Sequence, residues 1–281
     1  MSAAGHHDAR PASRLTRFTA NIRSAVALFF RPPRPPGWCP AWPPHGRLAL
    51  GALAAILIVV VVVVTLDARS VAGARMLPGS LVWLFRHITE LGLSGWFLYP
   101  IGFALLALAA ADSAALPNFS RQVLAAISVR LGFVFMTIAV PGLLVAIIKR
   151  LIGRARPFVA GEDAWSSLQF VWRPDYASFP SGHATTAFAA AVAIGALWPR
   201  ARPLMWTYAV TIAISRVAIT AHHPSDVIAG AIFGAIGALL VRNWYASRRL
   251  GFAVVADGTV FKLPGPSWQR VKVVARRLVS A

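Results

Sequence analysis

The chain has 281 residues, 57% hydrophobic and 13% charged, with a mean hydropathy of +0.64. Those proportions exclude an ordinary soluble domain, and apolar runs of bilayer length place the chain among integral membrane proteins. The net charge is +19, and the single cysteine, Cys39, excludes an internal disulfide and a multi-thiolate metal site.

Residues 1–47 open with a polar start. Leu15, Phe18, Ile22, Val26 and Phe29 then recur at helical spacing between Ser13 and Phe30, with Arg14, Arg17 and Arg23 elsewhere. The pattern suits a basic amphipathic helix on a membrane surface; a tail with chance periodicity is the alternative. Arg31 to Pro44 is proline-rich and reads as a linker. No cleavable signal peptide is expected, because the first long apolar run begins at Leu48 and reads as a signal anchor.

Six spans are predicted. They run from Leu48 to Leu66, Leu91 to Ala111 (with Pro100 a kink), about Val123 to Ile148, Ala184 to Trp198, Pro203 to Ala221, and Val227 to Val241. The fourth and sixth are short and should extend into their polar neighbours. In the third, Arg130 can snorkel and Pro141-Gly142 should bend the helix. In the sixth, Gly230 and Gly234 form a small-xxx-small pair that permits close helix packing. Leu81 to Ile88 is a further amphipathic piece, read either as flanking substrate entry or as ordinary packing.

Fifteen of the 28 Lys and Arg residues lie in the tails, seven up to Arg47 and eight from Arg242 onward. Basic segments beside spans mark the cytoplasmic side and touch anionic lipid. No nucleic-acid motif accompanies the charge, so no nucleic-acid partner is expected. With both tails, Arg121, Arg200 and Arg202 on the cytoplasmic side, an even number of spans puts Lys149, His183, His222 and Asp226 on the opposite face. The loops there also carry many cations, among them Arg69, Arg75, Arg86, Arg150, Arg154 and Arg173.

Three polar clusters mark the ends of the later spans. In the first, Lys149 and Arg156 are seven residues apart, about two turns, and share a face if the helix persists to Pro157. Lys149, Arg150 and Arg154 also read as plain interfacial anchors. In the second, Pro180-Ser181-Gly182-His183 resembles a helix start, with Ser181 or Gly182 as cap and free N–H groups facing an anion. In the third, Arg216 sits at membrane depth, where a guanidinium is costly unless it lines a polar cavity. His222 precedes Pro224, and Asp226 can accept a hydrogen bond from one ring nitrogen and leave the other to attack phosphorus. His223 competes for that role but lacks the matched spacing; a loop or substrate-contact role is expected of it. Cations, imidazoles and a carboxylate at one bilayer surface suggest phosphate-ester chemistry on a lipid.

Together, K-x6-RP from Lys149, PSGH from Pro180 and SR-x5-H-x3-D from Ser215 resemble the three-part signature of the type 2 phosphatidic acid phosphatase superfamily, PAP2, which includes vanadium haloperoxidases. The resemblance covers about residues 80–242. Joined to the spans above, it gives an all-α, PAP2-like six-helix membrane bundle over 48–242; the basic Pro-rich cytoplasmic tail (1–47) and the basic cytoplasmic C-terminal tail (243–281) lie outside the resemblance. It implies that His222 attacks phosphorus to give a phosphohistidine, that Asp226 orients it, and that His183 protonates the leaving oxygen and then activates water. Lys149, Arg156, Ser181, Gly182 and Arg216 would bind the phosphate oxygens. No metal and no other cofactor is expected; independently, the nine acids include no D-x-D pair of the kind a magnesium aspartyl phosphatase needs.

The expected substrate is a lipid phosphate or diphosphate: phosphatidic acid, phosphatidylglycerol phosphate, undecaprenyl diphosphate or a lipid A phosphate. A bacterial inner (plasma) membrane with the site facing the periplasm or exterior is expected. Oligomeric state is left open. Haloperoxidase chemistry is disfavoured because this chain is mostly spans. The alternative class is a non-catalytic lipid-phosphate-binding or transport protein that keeps the pocket. The segment from Phe158 to Phe179, with Trp165, Phe170 and Trp172, reads as a partial cover or a plain surface loop.

Overall fold

A computed structural model describes residues 13–35, 39–40, 43–111, 116–160 and 172–279. The helices, in chain order, are α1 (Arg14–Phe29), α2 (His45–Val62), a π-helical turn (Val63–Asp67), α3 (Ala68–Arg75), α4 (Gly79–Glu90), α5 (Gly95–Ala110) and α6 (Asn118–Ile152). They continue as α7 (Pro157–Ala160), α8 (Gly182–Leu197), α9 (Arg202–Ala218), α10 (Pro224–Ser247) and α11 (Trp268–Val279). A two-stranded antiparallel hairpin, β1 (Phe252–Val254) and β2 (Val260–Lys262), precedes α11. The fold is all-α.

Among the described residues, four helical segments are long and apolar enough to cross a membrane: His45–Arg75, Gly79–Ala110, Asn118–Ala160 and Pro224–Ser247. The fourth and fifth expected spans fall on α8 and α9, which are 16 and 17 residues long. Both α8 and α10 begin earlier than their apolar runs and take in the polar residues before them. Pro100 and Pro141 sit inside helices that continue past them. Large apolar side chains such as Leu50, Leu53, Ile56 and Phe103 cover the outside of the bundle. Such a surface suits lipid rather than water, and the protein is an integral membrane protein.

The bundle is built around α8, whose Ala184, Ala187, Ala189, Ala190 and Ala193 have no exposed surface. Small side chains let α6, α9 and α10 approach on all sides. The α8–α10 seam is the closest: a Cβ on Gly230 would lie 2.3 Å from the Ser181 carbonyl oxygen, and one on Gly234 would lie 2.3 Å from that of Thr185. The small-xxx-small pair therefore sets the spacing of the two helices that carry the histidines.

At the end of the bundle away from those histidines, α1 is a helix capped by Ser13, and its Asn21 amide donates to the carbonyls of Ala109 and Ala111. Leu28 and Phe29 pack on the core, while Leu15, Ile22 and Val26 face outward. From Val241 to Val279 the chain is built into the fold. The last span runs to Ser247, Phe252 of β1 packs on Phe133 with ring centroids 4.7 Å apart, and Val274 of α11 is buried against the start of α6. Arg130, in the first half of α6, bonds within the protein. Its guanidinium donates to the carbonyls of Leu263 and Pro264, fixing the segment between hairpin and α11. Ile88 of α4 packs against α9 and α8, so at that residue the packing reading of the amphipathic piece holds.

Candidate active site

The C-terminal ends of α6 and α9 and the N-terminal ends of α8 and α10 meet at one end of the bundle. The helix α6 stops at Ile152 because Gly153 takes a left-handed φ of 63°, with its N–H on the Lys149 carbonyl. It does not persist to Pro157. Lys149 and Arg156 are therefore not two turns apart on one helical face; Arg156 lies in the non-helical stretch that follows. There its N–H bonds the Asp175 carbonyl and its Nε the Pro174 carbonyl. Lys149 still reaches the site: its Nζ would lie 3.2 Å from a Cβ on Gly182, so the ammonium sits at the head of α8.

Ser181 caps α8, its oxygen facing the Ala184 N–H at 3.5 Å. Its own N–H donates to the Asp226 carbonyl at 2.9 Å. That backbone bond ties the PSGH segment to the start of α10. His183 lies in the first turn of α8, beside Gly92, where a Cβ would come within 3.1 Å of its ring. It feels the charges of Arg216, His222, Lys149 and Arg156, so these five groups share one electrostatic environment. Arg216 is buried at the end of α9 and donates to the Thr89 hydroxyl at 2.8 Å. Its carbonyl accepts the N–H groups of Ala221 and His222, which fold the α9–α10 loop back on the helix end.

His222 is buried in that loop, outside the spans, and desolvation lowers its pKa to about 3 although Asp226 pulls the other way. At neutral pH the ring is uncharged and keeps a lone pair. Its Nδ1 lies 3.5 Å from Asp226 Oδ2 and 3.5 Å from Ser178 Oγ. This is a contact longer than a well-formed hydrogen bond, where a direct bond was expected. Asp226 is instead held by other donors: Arg154 Nη1 at 2.5 Å on Oδ1, and Ser178 Oγ at 2.5 Å and the His223 N–H at 2.9 Å on Oδ2.

Four residues of this network escape sequence reasoning. Arg154, read as an interfacial anchor, has no exposed surface and pairs with both Asp226 and Asp67. It is a core cation because the turn at Gly153 directs it inward. Asp67, from the π-helical turn after α2, accepts from Arg154, the Ser225 hydroxyl and the Ser225 N–H. As an acid ending an uncharged span, it carried a legible signal. Ser178 and Thr89 carried none. His223 is not a loop residue open to substrate: it caps α10, is fully buried, and its Nδ1 lies 3.5 Å from Asp226.

A cavity of about 410 Å³ opens beside Lys149, Gly182 and His183 and continues along apolar walls that include Leu98, Ile138, Leu143 and Val145. Trp172 is exposed, 5.6 Å under the Arg150 guanidinium. Trp165 and Phe170 lie outside the described residues. Among the described residues no group of three or more His, Cys, Asp or Glu is placed to hold a metal ion.

A family model described as the PAP2 superfamily matches residues 130–250, which hold all three motifs. The chain is 34% identical over 196 residues to the lipid A 1-phosphatase of Rhizobium johnstonii, covering 66% of this chain and 77% of that protein. The chain belongs to the PAP2 superfamily, in its membrane lipid phosphatase branch. A second PAP2 relative, the decaprenylphosphoryl-5-phosphoribose phosphatase of Mycobacterium tuberculosis, is 37% identical over 153 residues, covering 54% of this chain and 77% of that one. A transmembrane PAP2 type phosphatidylglycerolphosphate phosphatase from Bacillus subtilis, known from a crystal structure, aligns at a TM-score of 0.49 and 21% identity, over 68% of this chain and 94% of that one. Asp67 and Thr89 fall outside the residues that the PAP2 model matches.

Proposed function

We propose that this protein hydrolyses the phosphate of a lipid A-type substrate at the non-cytoplasmic leaflet, by way of a phosphohistidine on His222 and without a metal. The observation that carries this is the Ser181 N–H bond to the Asp226 carbonyl. It joins the two histidine-bearing segments at a helix head where Lys149 Nζ also lies. A helix N-terminus and a cation together suit a phosphate dianion.

His222 is the nucleophile. Its Nδ1 faces Asp226 and Ser178, leaving Nε2 to attack phosphorus while the bond from phosphorus to the lipid oxygen breaks. His183 gives its proton to that oxygen. It then takes a proton from water, which attacks the phosphohistidine and releases inorganic phosphate. Lys149, Arg156, Arg216, Ser181 and Gly182 hold the phosphate oxygens as charge builds on them. The cavity's polar end and apolar walls suit a phosphorylated lipid.

The 34% identity to a lipid A 1-phosphatase over 77% of its length favours a phosphate on a lipid-linked sugar. The similarity to a decaprenylphosphoryl-5-phosphoribose phosphatase favours, as a second reading, a polyprenyl-linked sugar phosphate. For the leaflet, Arg121, Arg200, Arg202 and the described C-terminal basic residues from Arg242 onward lie toward the opposite end of the bundle, which the positive-inside rule reads as cytoplasmic. With α8 and α9 crossing as well, the spans number six, in a bacterial inner membrane. The test is phosphate release by the purified protein from lipid A 1-phosphate, a polyprenyl-linked sugar phosphate, phosphatidic acid and phosphatidylglycerol phosphate. Release from lipid A that vanishes in His222→Ala is expected. Binding without release by the unsubstituted chain would favour a non-catalytic role, and full release by His222→Ala would remove the nucleophile.

A further inference from the structure

The first span contributes one polar group to the interior of this site, and hydrolysis as proposed above makes no use of it. Asp67 is 4% exposed and ends a five-residue π-helical turn. Such turns insert an extra residue into a helix and re-aim side chains, often at functional sites. Here the turn delivers a carboxylate to Arg154: Asp67 Oδ2 accepts Arg154 Nη2 at 2.7 Å and the Ser225 hydroxyl at 2.6 Å. Asp67 Oδ1 accepts the Ser225 N–H at 3.0 Å. The other arm of the same guanidinium, Nη1, holds Asp226 Oδ1 at 2.5 Å and reaches the Ser225 hydroxyl at 2.8 Å. The result is a chain of groups, Asp67–Arg154–Asp226, that ends 3.5 Å from the His222 ring.

We propose that Asp67 is a positioning residue for phosphate transfer, acting through Arg154 to keep Asp226 both fixed and net negative against His222. This rests on His222 being the nucleophile. Two physical arguments support it. The first is orientation. Arg154 occupies Asp226 Oδ1, while Ser178 and the His223 N–H occupy Oδ2, so the carboxylate cannot rotate and Oδ2 is the oxygen facing His222. Asp67 fixes Arg154 in turn.

The second is charge. A carboxylate paired one-to-one with a guanidinium presents almost no net field to a neighbour. Adding Asp67 leaves the three buried groups with one net negative charge. When His222 bonds to phosphorus its ring becomes cationic, and the charged side chains around it are otherwise the positive Arg216 and Arg156, with Lys149 and the second imidazole nearby. A net negative partner then stabilises the transition state more than the ground state. Stability alone explains the arrangement poorly, because buried ion triads replaced by apolar groups are often as stable or more so.

The test uses the full-length protein in detergent, with a lipid phosphate that the unsubstituted chain hydrolyses. Asp67→Asn keeps the shape and an acceptor but removes the charge. Its kcat should fall about ten- to a hundred-fold, the scale on which partners behind a reacting ligand act. Competitive inhibition by inorganic phosphate should stay within about two-fold, since the phosphate-binding cations are untouched. The double variant Asp67→Asn/Arg154→Gln restores one net negative charge on Asp226, and its kcat should recover several-fold over the single variant. Non-additivity of that kind marks coupled groups. An Asp67→Asn protein with full kcat would overturn the proposal. So would equal losses in kcat and phosphate affinity with no recovery in the double variant, or failure of both variants to fold, each of which describes a structural role. An unsubstituted chain that hydrolyses no lipid phosphate would overturn the parent assignment as well, whereas the outcomes above leave His222 in place.

Discussion

Gly230→Ala should damage catalysis through geometry alone, since the new methyl carries neither charge nor polarity. The Cβ it adds would lie 2.3 Å from the Ser181 carbonyl oxygen, about 1 Å inside ordinary van der Waals contact. The obstacle is backbone, so the two helix heads must part rather than a side chain turn aside. Overpacking of this kind costs about 1–3 kcal/mol of stability. The same separation strains the Ser181–Asp226 backbone bond and moves the head of α8, with His183, away from His222. A displacement near 1 Å in a reacting array costs about a hundred-fold in rate. Gly234→Ala is the control. Its clash, with the Thr185 carbonyl, is equally close but lies one turn farther from the histidines. Initial rates of phosphate release in micelles and thermal unfolding of the detergent-solubilised protein are the measurements. Both variants should unfold at lower temperature, with the larger loss of kcat in Gly230→Ala. A Gly230→Ala protein with unaltered rate and midpoint, or a Gly234→Ala protein just as inactive, would refute the account of how the α8–α10 seam sets the site.

Phosphate release should survive EDTA, because the phosphate is held by cationic side chains and backbone N–H groups; a strict requirement for added magnesium would contradict the proposed mechanism. Stability should fall in mild acid. The folded-state pKa of His222 is about 3 against about 6.5 unfolded, so below pH 6.5 the unfolded chain takes up a proton that the folded chain refuses. The slope approaches about 1.4 kcal/mol per pH unit for this one group. His222→Ala should therefore show a shallower loss of thermal midpoint between pH 6.5 and 4, and an unchanged profile would mean that the ring is solvated. A reporter inserted at Arg200 should read as cytoplasmic, and an external readout would invert the orientation.

The candidate site was legible where polar chemistry and membrane physics conflict. A guanidinium at membrane depth (Arg216) stands out against an apolar background because it is costly there, and His222 stands out by its spacing to Asp226 at the start of a span. The same logic reaches Asp67, an acid ending an uncharged run. Arg154 was not legible. In a run that also holds Lys149, Arg150 and Arg156, nothing local separates a core cation from an anchor. What separates them is the left-handed turn at Gly153, a feature of backbone geometry with long-range consequences. Ser178 and Thr89 are ordinary in composition and gain meaning only from their partners, Asp226 and Arg216. The chain after Ser247 reads as a basic tail because its charge dominates any window. Its order comes from a few apolar contacts, Phe252 on Phe133 and Val274 near Leu124, that composition averages away.

Two arginines two residues apart show how the bundle divides its charges. Arg154 is fully buried and spans two carboxylates, so it is already neutralised and has nothing left for an anion. Arg156 and Lys149 are only half-buried, and among the described residues neither has a carboxylate within ion-pair distance. A cation so placed retains its charge for a ligand, and the chain accepts the mutual repulsion of Lys149, Arg156 and Arg216 at one helix head. On the proposed reading, that repulsion would be relieved by the arrival of a phosphate dianion. Binding a doubly charged headgroup beside hydrocarbon is otherwise opposed by its desolvation. With the inner arginine paired and the outer cations uncompensated, one basic segment would, under the proposed mechanism, serve both the orientation of Asp226 and the capture of substrate.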